Sequence, residues 1–234
     1  MSTVISKQVY EFLREKLLAG QYLPGTRISE FAIAKELRIS RSPIREAISK
    51  LISDGLIEKH PGIGAFVKVP DLREIKEVFV LREMLECHAV EEVINKIKLE
   101  QINKLQSYCN EIHSAANELR SKDGPRDDLL KTVIDADLAF HMLILKVADN
   151  QQILKIIENY RILTSIFSLY FDKQFDLREV ANIWREHTKI LQAIKKQDSQ
   201  KACYWIKKQI HRSQHLAIAG YEHLTSTHKP VWVK

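Results

Sequence analysis

Asp137 and His141 stand four apart in a stretch whose apolar positions, Ile134, Leu138, Leu145 and Ala148, recur at helical spacing. Both therefore fall on the stripe that should face inward. His187 sits in the same way among Ile183, Ile190, Leu191 and Ile194, and Gln209 among Ala202, Ile206, Ile210 and Ser213. Three helices thus turn a carboxylate, two imidazoles and an amide toward a common interior. A carboxylate with imidazoles is a ligand set for zinc or a similar divalent ion. The same residues could instead form a hydrogen-bonded polar cluster with no ion. His211 lies about 200° round the helix from Gln209, so it points, with His215 one turn on, away from that interior. Arg82 lies beside Val78, Leu81 and Leu85 on another inner stripe, where it would be costly unless paired. It could pair Asp137, hold a ligand carboxylate bidentately, or bridge to Glu86 along the helix surface.

A second constellation suits nucleic acid. Arg41 and Arg45 are four apart at the start of a short helix, and a guanidinium can donate to O6 and N7 of guanine, each such pair discriminating by about 1–3 kcal/mol. The Ser40 and Ser42 hydroxyls suit phosphates, and Lys59, His60 and the Gly62 turn could reach the backbone or minor groove. The plain alternative for the two arginines is solvated surface charge.

The elements that must position these groups are legible in outline. Ser42-Pro43 reads as a helix start, with Ile44, Ile48, Leu51 and Ile52 at helical spacing and Asp54-Gly55 as its stop. A shorter helix, about Glu30 to Leu37, precedes it, with Phe31, Ile33, Ala34 and Leu37 as apolar positions. Val4 to Ala19 forms another helix, packing Val9, Phe12, Leu13, Leu17 and Leu18 onto the pair, and Gln21 to Arg27 is a loop. Leu56–His60 and Ala65–Val69 flank a Pro61-Gly62-Ile63-Gly64 turn and predict a two-stranded hairpin. From Asp71 the pattern becomes purely helical, with helices near 72–97, 100–119, 126–148, 151–174, 178–196 and 199–220. Asp123-Gly124-Pro125, Asp149-Asn150, Asp176 and Asp198-Ser199 mark the breaks. Six helices joined by short loops predict an antiparallel bundle.

The 234 residues suffice for two domains, and low Gly and Pro counts, 7 and 6, favour helices over a large β-sandwich. The net charge of +6 is uneven: residues 1–70 hold 11 Lys/Arg against 7 Asp/Glu, leaving 25 against 23 for the rest. A small basic head on a near-neutral body is the footprint of a phosphate-binding domain. Cys87, Cys109 and Cys203 are odd in number and lie far apart, so they read as reduced thiols of a cytosolic protein. No apolar run approaches the roughly 18 residues of a membrane span, and no leader-like segment opens the chain. The expectation is a cytoplasmic protein that does not engage a membrane.

Pro24-Gly25-Thr26, Ser40-Arg41-Ser42-Pro43-Ile44-Arg45-Glu46-Ala47, Asp54-Gly55-Leu56-Ile57 and Gly64-Ala65-Phe66-Val67 together resemble the DNA-binding half of GntR-family transcription regulators. Asp137-Leu138-Ala139-Phe140-His141, Glu186-His187 and Asp198 with Ala202 resemble the effector-binding FCD domain of the FadR subfamily. The resemblance implies a homodimer on a pseudo-palindromic operator, read by arginines at positions 41 and 45. It also implies a small-molecule effector, plausibly a carboxylate held near Arg82, with Arg82 and Glu86 matching a common Arg-x-x-x-Glu. Many members hold a divalent metal, zinc or nickel, through one Asp and three His. Asp137, His141 and His187 match, but the third histidine falls at Gln209, whose carbonyl is a weaker ligand for zinc. Other members lack the metal and take lipid-like ligands. A basic residue common in the family's second helix is Phe31 here, and one in the wing is Ile63, so no operator carries over.

These readings converge on a mostly α chain. Residues 1–70 form a winged helix-turn-helix with a two-stranded wing, 71–225 an all-α effector-binding and dimerisation bundle, and 226–234 a tail in which Trp232 could dock. The function expected is that of a ligand-responsive regulator, more often a repressor. The alternatives are a metal-dependent hydrolase built on the Asp/His cluster, which lacks a general base at recognisable spacing, and an effector-free DNA-binding protein. The bundle of the latter would be apolar throughout, unlike this one.

Overall fold

In the computed structural model the described residues are 2–18, 21–121, 126–169 and 177–227. The breaks read at Asp123-Gly124-Pro125 and Asp176, and Trp232 with most of the tail, lie outside them. Helix α1 (Ser2–Leu18) leads through strand β1 (Arg27–Ile28) to α2 (Glu30–Leu37) and α3 (Arg41–Ser53), then to the hairpin β2 (Ile57–His60) and β3 (Gly64–Val67). Val9, Tyr10, Leu13 and Leu17 of α1 share a core with Ile33, Ile44, Ala47, Ile48, Leu51, Leu56 and Val67. The helical period of the apolar residues therefore sets which faces meet.

Two local expectations are corrected. Helix α3 begins at Arg41, two residues earlier than a start at Pro43: Ser40 is its cap residue in extended conformation, and its hydroxyl makes no capping bond. Pro43 thus occupies the third helical position, where a missing N–H is equally harmless because the first four donors have no partner within the helix. The sheet has three strands rather than the two of the wing alone. Beyond the Gly25 turn (φ 77°), β1 pairs antiparallel with β3, Arg27 opposite Phe66 and Ile28 opposite Ala65. A two-residue strand is too short to show alternation, which is why this segment reads as loop. At the far end of α3 the expectation holds: Gly55 takes φ 74°, and the N–H groups of Gly55 and Leu56 bond the carbonyls of Ile52 and Leu51. That is the paired bonding of a left-handed glycine stop.

Beyond the head, the described residues form α4 (Leu72–Ile94), α5 (Leu99–Ser121), α6 (Arg126–Ala148), α7 (Gln151–Leu169), α8 (Leu177–Lys195) and α9 (Ser199–Thr227). The break signals act as caps. Asn150 Oδ1 accepts the N–H groups of Gln152 and Ile153, and Asp198 Oδ1 that of Lys201. Ile112, Ala115 and Leu119 of α5 pack with Leu130, Val133 and Ala136 of α6 and with Val180 and Ile183 of α8. The buried line of α6 runs through Val133, Ala136, Phe140 and Ile144, whereas Ile134 and Leu138 are only half-buried. On α4, Leu81 faces outward while Phe79, Arg82 and Glu86 are buried.

The backbone divides into two compact units. One runs to Glu74 and includes α7 from Asn159 and α9 from Ala219; the other holds the rest of the helices from Ile75. No helix among the described residues is long and apolar enough to cross a membrane. The expectation of three reduced thiols is overturned: Cys87 of α4 and Cys203 of α9 are disulfide-paired, 116 residues apart in sequence, and Cys109 is a buried free thiol. Sequence distance hid the pair, because the fold brings α4 and α9 side by side.

Candidate ligand and DNA-contact sites

Asp137, His141, His187 and Gln209 meet within one network built from α6, α8 and α9, buried except at the half-buried Asp137. Gln209 Nε2 donates to Asp137 Oδ1 at 2.7 Å, and Gln209 Oε1 lies 3.0 Å from His141 Nε2. The other His141 nitrogen, Nδ1, is 2.9 Å from Glu86 Oε2, and Arg82 Nε donates to Glu86 Oε1 at 2.9 Å. His187 Nδ1 donates to the Ile183 carbonyl at 2.8 Å, and its Nε2 lies 3.4 Å from Asp137 Oδ1. The chain Arg82–Glu86–His141–Gln209–Asp137–His187 is therefore continuous across four helices. Each member covers a polar atom that would be expensive to bury alone.

The donor chemistry suits a cation. The backbone bond at His187 Nδ1 fixes the tautomer that leaves the Nε2 lone pair toward Asp137, the arrangement that orients metal-binding histidines. Ligand atoms of Asp137, His141 and His187 all lie within 4.8 Å of one another. Ligands about 2.1 Å from a shared ion stand at most about 4.2 Å apart, so small side-chain rotations close the site. At His141 the two ring nitrogens face oxygen atoms on opposite sides, the Glu86 carboxylate at Nδ1 and the Gln209 carbonyl at Nε2. Gln209 also offers its carbonyl oxygen on the same side. Phe140 closes the site edge-on against His187, ring centroids 4.4 Å apart.

Arg82 takes the Glu86 partner foreseen for it, as a buried pair rather than a helix-surface bridge. His211 points outward, 2.7 Å from Glu83, as its position round the helix requires. Two features escaped the sequence reading. Glu86 is the link between Arg82 and His141. Arg212, beside the cluster on α9, donates to Glu186 (2.8 Å) and Glu179 (2.8 Å) of α8 in a largely buried triad. Glu186, one residue before His187, was the only signal of it.

In the head, Ser40, Arg41, Ser42 and Arg45 are exposed together at the start of α3, and Lys59 and Gly62 are exposed in the wing. The first turn of α2 steadies both arginines: Arg45 Nε donates to Glu30 at 2.8 Å, and the Arg41 guanidinium sits 5.9 Å from the centroid of the Phe31 ring. Phe31, read as a packing position, is 65% exposed. His60 is half-buried, 3.3 Å from Glu58 and edge-on to Phe66.

Known proteins agree with this geometry. The FCD domain family matches residues 77–212, and the gntR family of bacterial regulatory proteins matches residues 5–67. The chain is 29% identical over 195 residues to the HTH-type transcriptional regulator YdhC of Bacillus subtilis (strain 168), covering 83% of each chain. It is 26% identical over 195 residues to the HTH-type transcriptional repressor RspR of Escherichia coli (strain K12), covering 83% of this chain and 80% of that one. Its fold resembles that of E. coli McbR/YncC, with a TM-score of 0.80 at 20% identity over 93% of this chain and 98% of that chain. FCD domains bind small-molecule effectors and in some cases metals, and GntR heads bind operator DNA, which sets aside the hydrolase alternative. The chain belongs to the GntR family of bacterial regulatory proteins, with an FCD domain behind its winged head, and is a ligand-responsive, DNA-binding transcription regulator.

Proposed function

We propose that this regulator is a homodimeric repressor released from a pseudo-palindromic operator by a small carboxylate. Residues 1–70 serve as the DNA-binding domain and residues 71–225 bind effector and dimerise. Arg41 and Arg45 read base edges in the major groove, while Ser40, Ser42, Lys59, His60 and the Gly62 turn contact the backbone or minor groove. A divalent ion, zinc or nickel, is held by Asp137, His141 and His187 with Gln209 as a weak fourth ligand. It would supply a positive centre for the effector, with Arg82 as a second anchor for the carboxylate. The observation that carries this reading is the convergence of those four polar side chains, all but Asp137 buried, in one cluster of an effector-binding domain. The repressor named among the relatives supports the sign of regulation. An effector weakens operator affinity only by favouring an arrangement of the two heads that the operator does not accept.

The reading is tested by selecting bound fragments from a random duplex pool and by elemental analysis of untagged protein purified without chelator. Two-fold-related half-sites, together with about one metal per chain that is lost in His187→Ala, are expected. A single asymmetric site, or metal retained by that variant, would overturn the dimeric or the metal-bound part respectively.

A further inference from the structure

The Cys87–Cys203 pair belongs to no part of the DNA or effector reading. Its Cα atoms are 4.9 Å apart, inside the span a disulfide bridges without backbone movement, and it joins α4 to α9. The same two helices are joined one turn away by Glu83, which pairs with Lys207 (3.0 Å) and His211 (2.7 Å). The seam therefore has non-covalent contacts that can hold the two sulfurs in register when they are thiols. Cys87 is buried, whereas Cys203 is only half-buried, the more exposed of the pair. Cys109, the third cysteine, is fully buried, and burial pushes its thiol up to about 11, which keeps it protonated and unreactive. Disulfides do not persist where glutathione and thioredoxin keep thiols reduced, so a pair poised in this way reports an oxidising change.

The seam also reaches the buried network. Cys87 follows Glu86, and Cys203 lies on the helix that carries Gln209. These are the two residues that grip the opposite ring nitrogens of His141. A bond between the sulfurs fixes the spacing of Glu86 and Gln209 about that ring.

We propose that Cys87 and Cys203 form a reversible redox modification site, with hydrogen peroxide as its oxidant, that clamps α4 to α9 and so sets the geometry around His141. The Cys203 thiolate attacks one peroxide oxygen. The O–O bond breaks, hydroxide leaves and takes up a proton as water, and Cys203 becomes a sulfenic acid. Cys87 then attacks that sulfur, the S–O bond breaks, and a second water leaves with the Cys87 proton. Two thiols are thereby oxidised to one disulfide as one peroxide is reduced to two waters. A dithiol reverses the step by thiol–disulfide exchange.

The test uses the full chain with chelator present, reduced and then exposed to a slight excess of hydrogen peroxide. After denaturation, alkylation with a polyethylene-glycol maleimide should count three thiols in the reduced protein, one after peroxide, and three again after dithiothreitol. Cys87→Ser should accumulate a sulfenic acid trapped by dimedone at Cys203, and Cys203→Ser should show none at Cys87. Hydrogen exchange of the α9 amides flanking Cys203 should slow at least tenfold on oxidation of the wild type, and not in Cys203→Ser. Three thiols surviving peroxide, or loss of two thiols in Cys87→Ser, would overturn the site. Unchanged exchange on oxidation would overturn the clamp. None of these readouts depends on the operator, the metal or the effector.

Discussion

His141 Nε2 and Gln209 Oε1 face each other across 3.0 Å inside the FCD domain, and this contact couples α6 to α9 at the place where an ion would bind. Because Gln209 also donates to Asp137 (2.7 Å), its amide is held in one orientation with the carbonyl toward the histidine. Gln209→His would exchange a weak neutral oxygen for an imidazole. The expected outcome is zinc affinity at least tenfold tighter in a chelator competition titration. Unchanged affinity would show that position 209 does not contribute a ligand.

Arg45→Ala removes a side chain that the head does not need for packing, since Arg45 is exposed and meets only Glu30 among the contacts described. Helix content by circular dichroism should be unchanged. Affinity for the selected operator should fall by about 1–3 kcal/mol, roughly 5- to 150-fold, with discrimination relaxed at the contacted base pair. An equal loss on unrelated duplex would assign Arg45 to phosphates rather than to bases.

Arg212→Met removes the guanidinium that Glu186 and Glu179 share, in a region where Glu186 is buried. Breaking such a pair by removing one partner costs about 3–5 kcal/mol. The midpoint of urea unfolding should drop accordingly, while Arg212→Lys, which keeps the charge but not the fork of donors, should lose less.

Cys109 gives stability a defined alkaline limit. Its thiol is raised from 9.0 to about 11 by burial, so the folded chain holds that proton more tightly than the unfolded chain does. The resulting stabilisation is complete below pH 9 and is lost as pH rises through 11. Urea unfolding of wild type between pH 9 and 11 should show a steeper decline than Cys109→Ala, whatever constant offset the vacated volume adds.

Much of this was legible in sequence because helical period and cap chemistry are local. The inward Asp137, His141, His187 and Gln209, the Gly55 stop and the Asn150 and Asp198 caps needed only spacing and residue type. What escaped depends on neighbours distant in the chain. The Cys87–Cys203 pair and the link from Glu86 to His141 exist only once α4 lies against α9 and α6. Arg212 reads as an exposed basic residue until α8 brings up two carboxylates. The start of α3 was misplaced because Ser40 and Ser42 are equivalent in type and Pro43 tolerates either register.

The first turn of α2 has a bearing on how the regulator would search a chromosome. Glu30 places a carboxylate 2.8 Å from Arg45, beside the surface that would meet DNA. That negative charge repels every phosphate backbone alike, and the Arg45 side chain must be given up by Glu30 before it can reach a groove. Random duplex offers little in return for that exchange, whereas a well-placed guanine offers two aligned acceptors. With Arg45 reading a base as proposed, Glu30 would lower residence on the vast excess of irrelevant sites more than on the cognate one, shortening each unproductive stop.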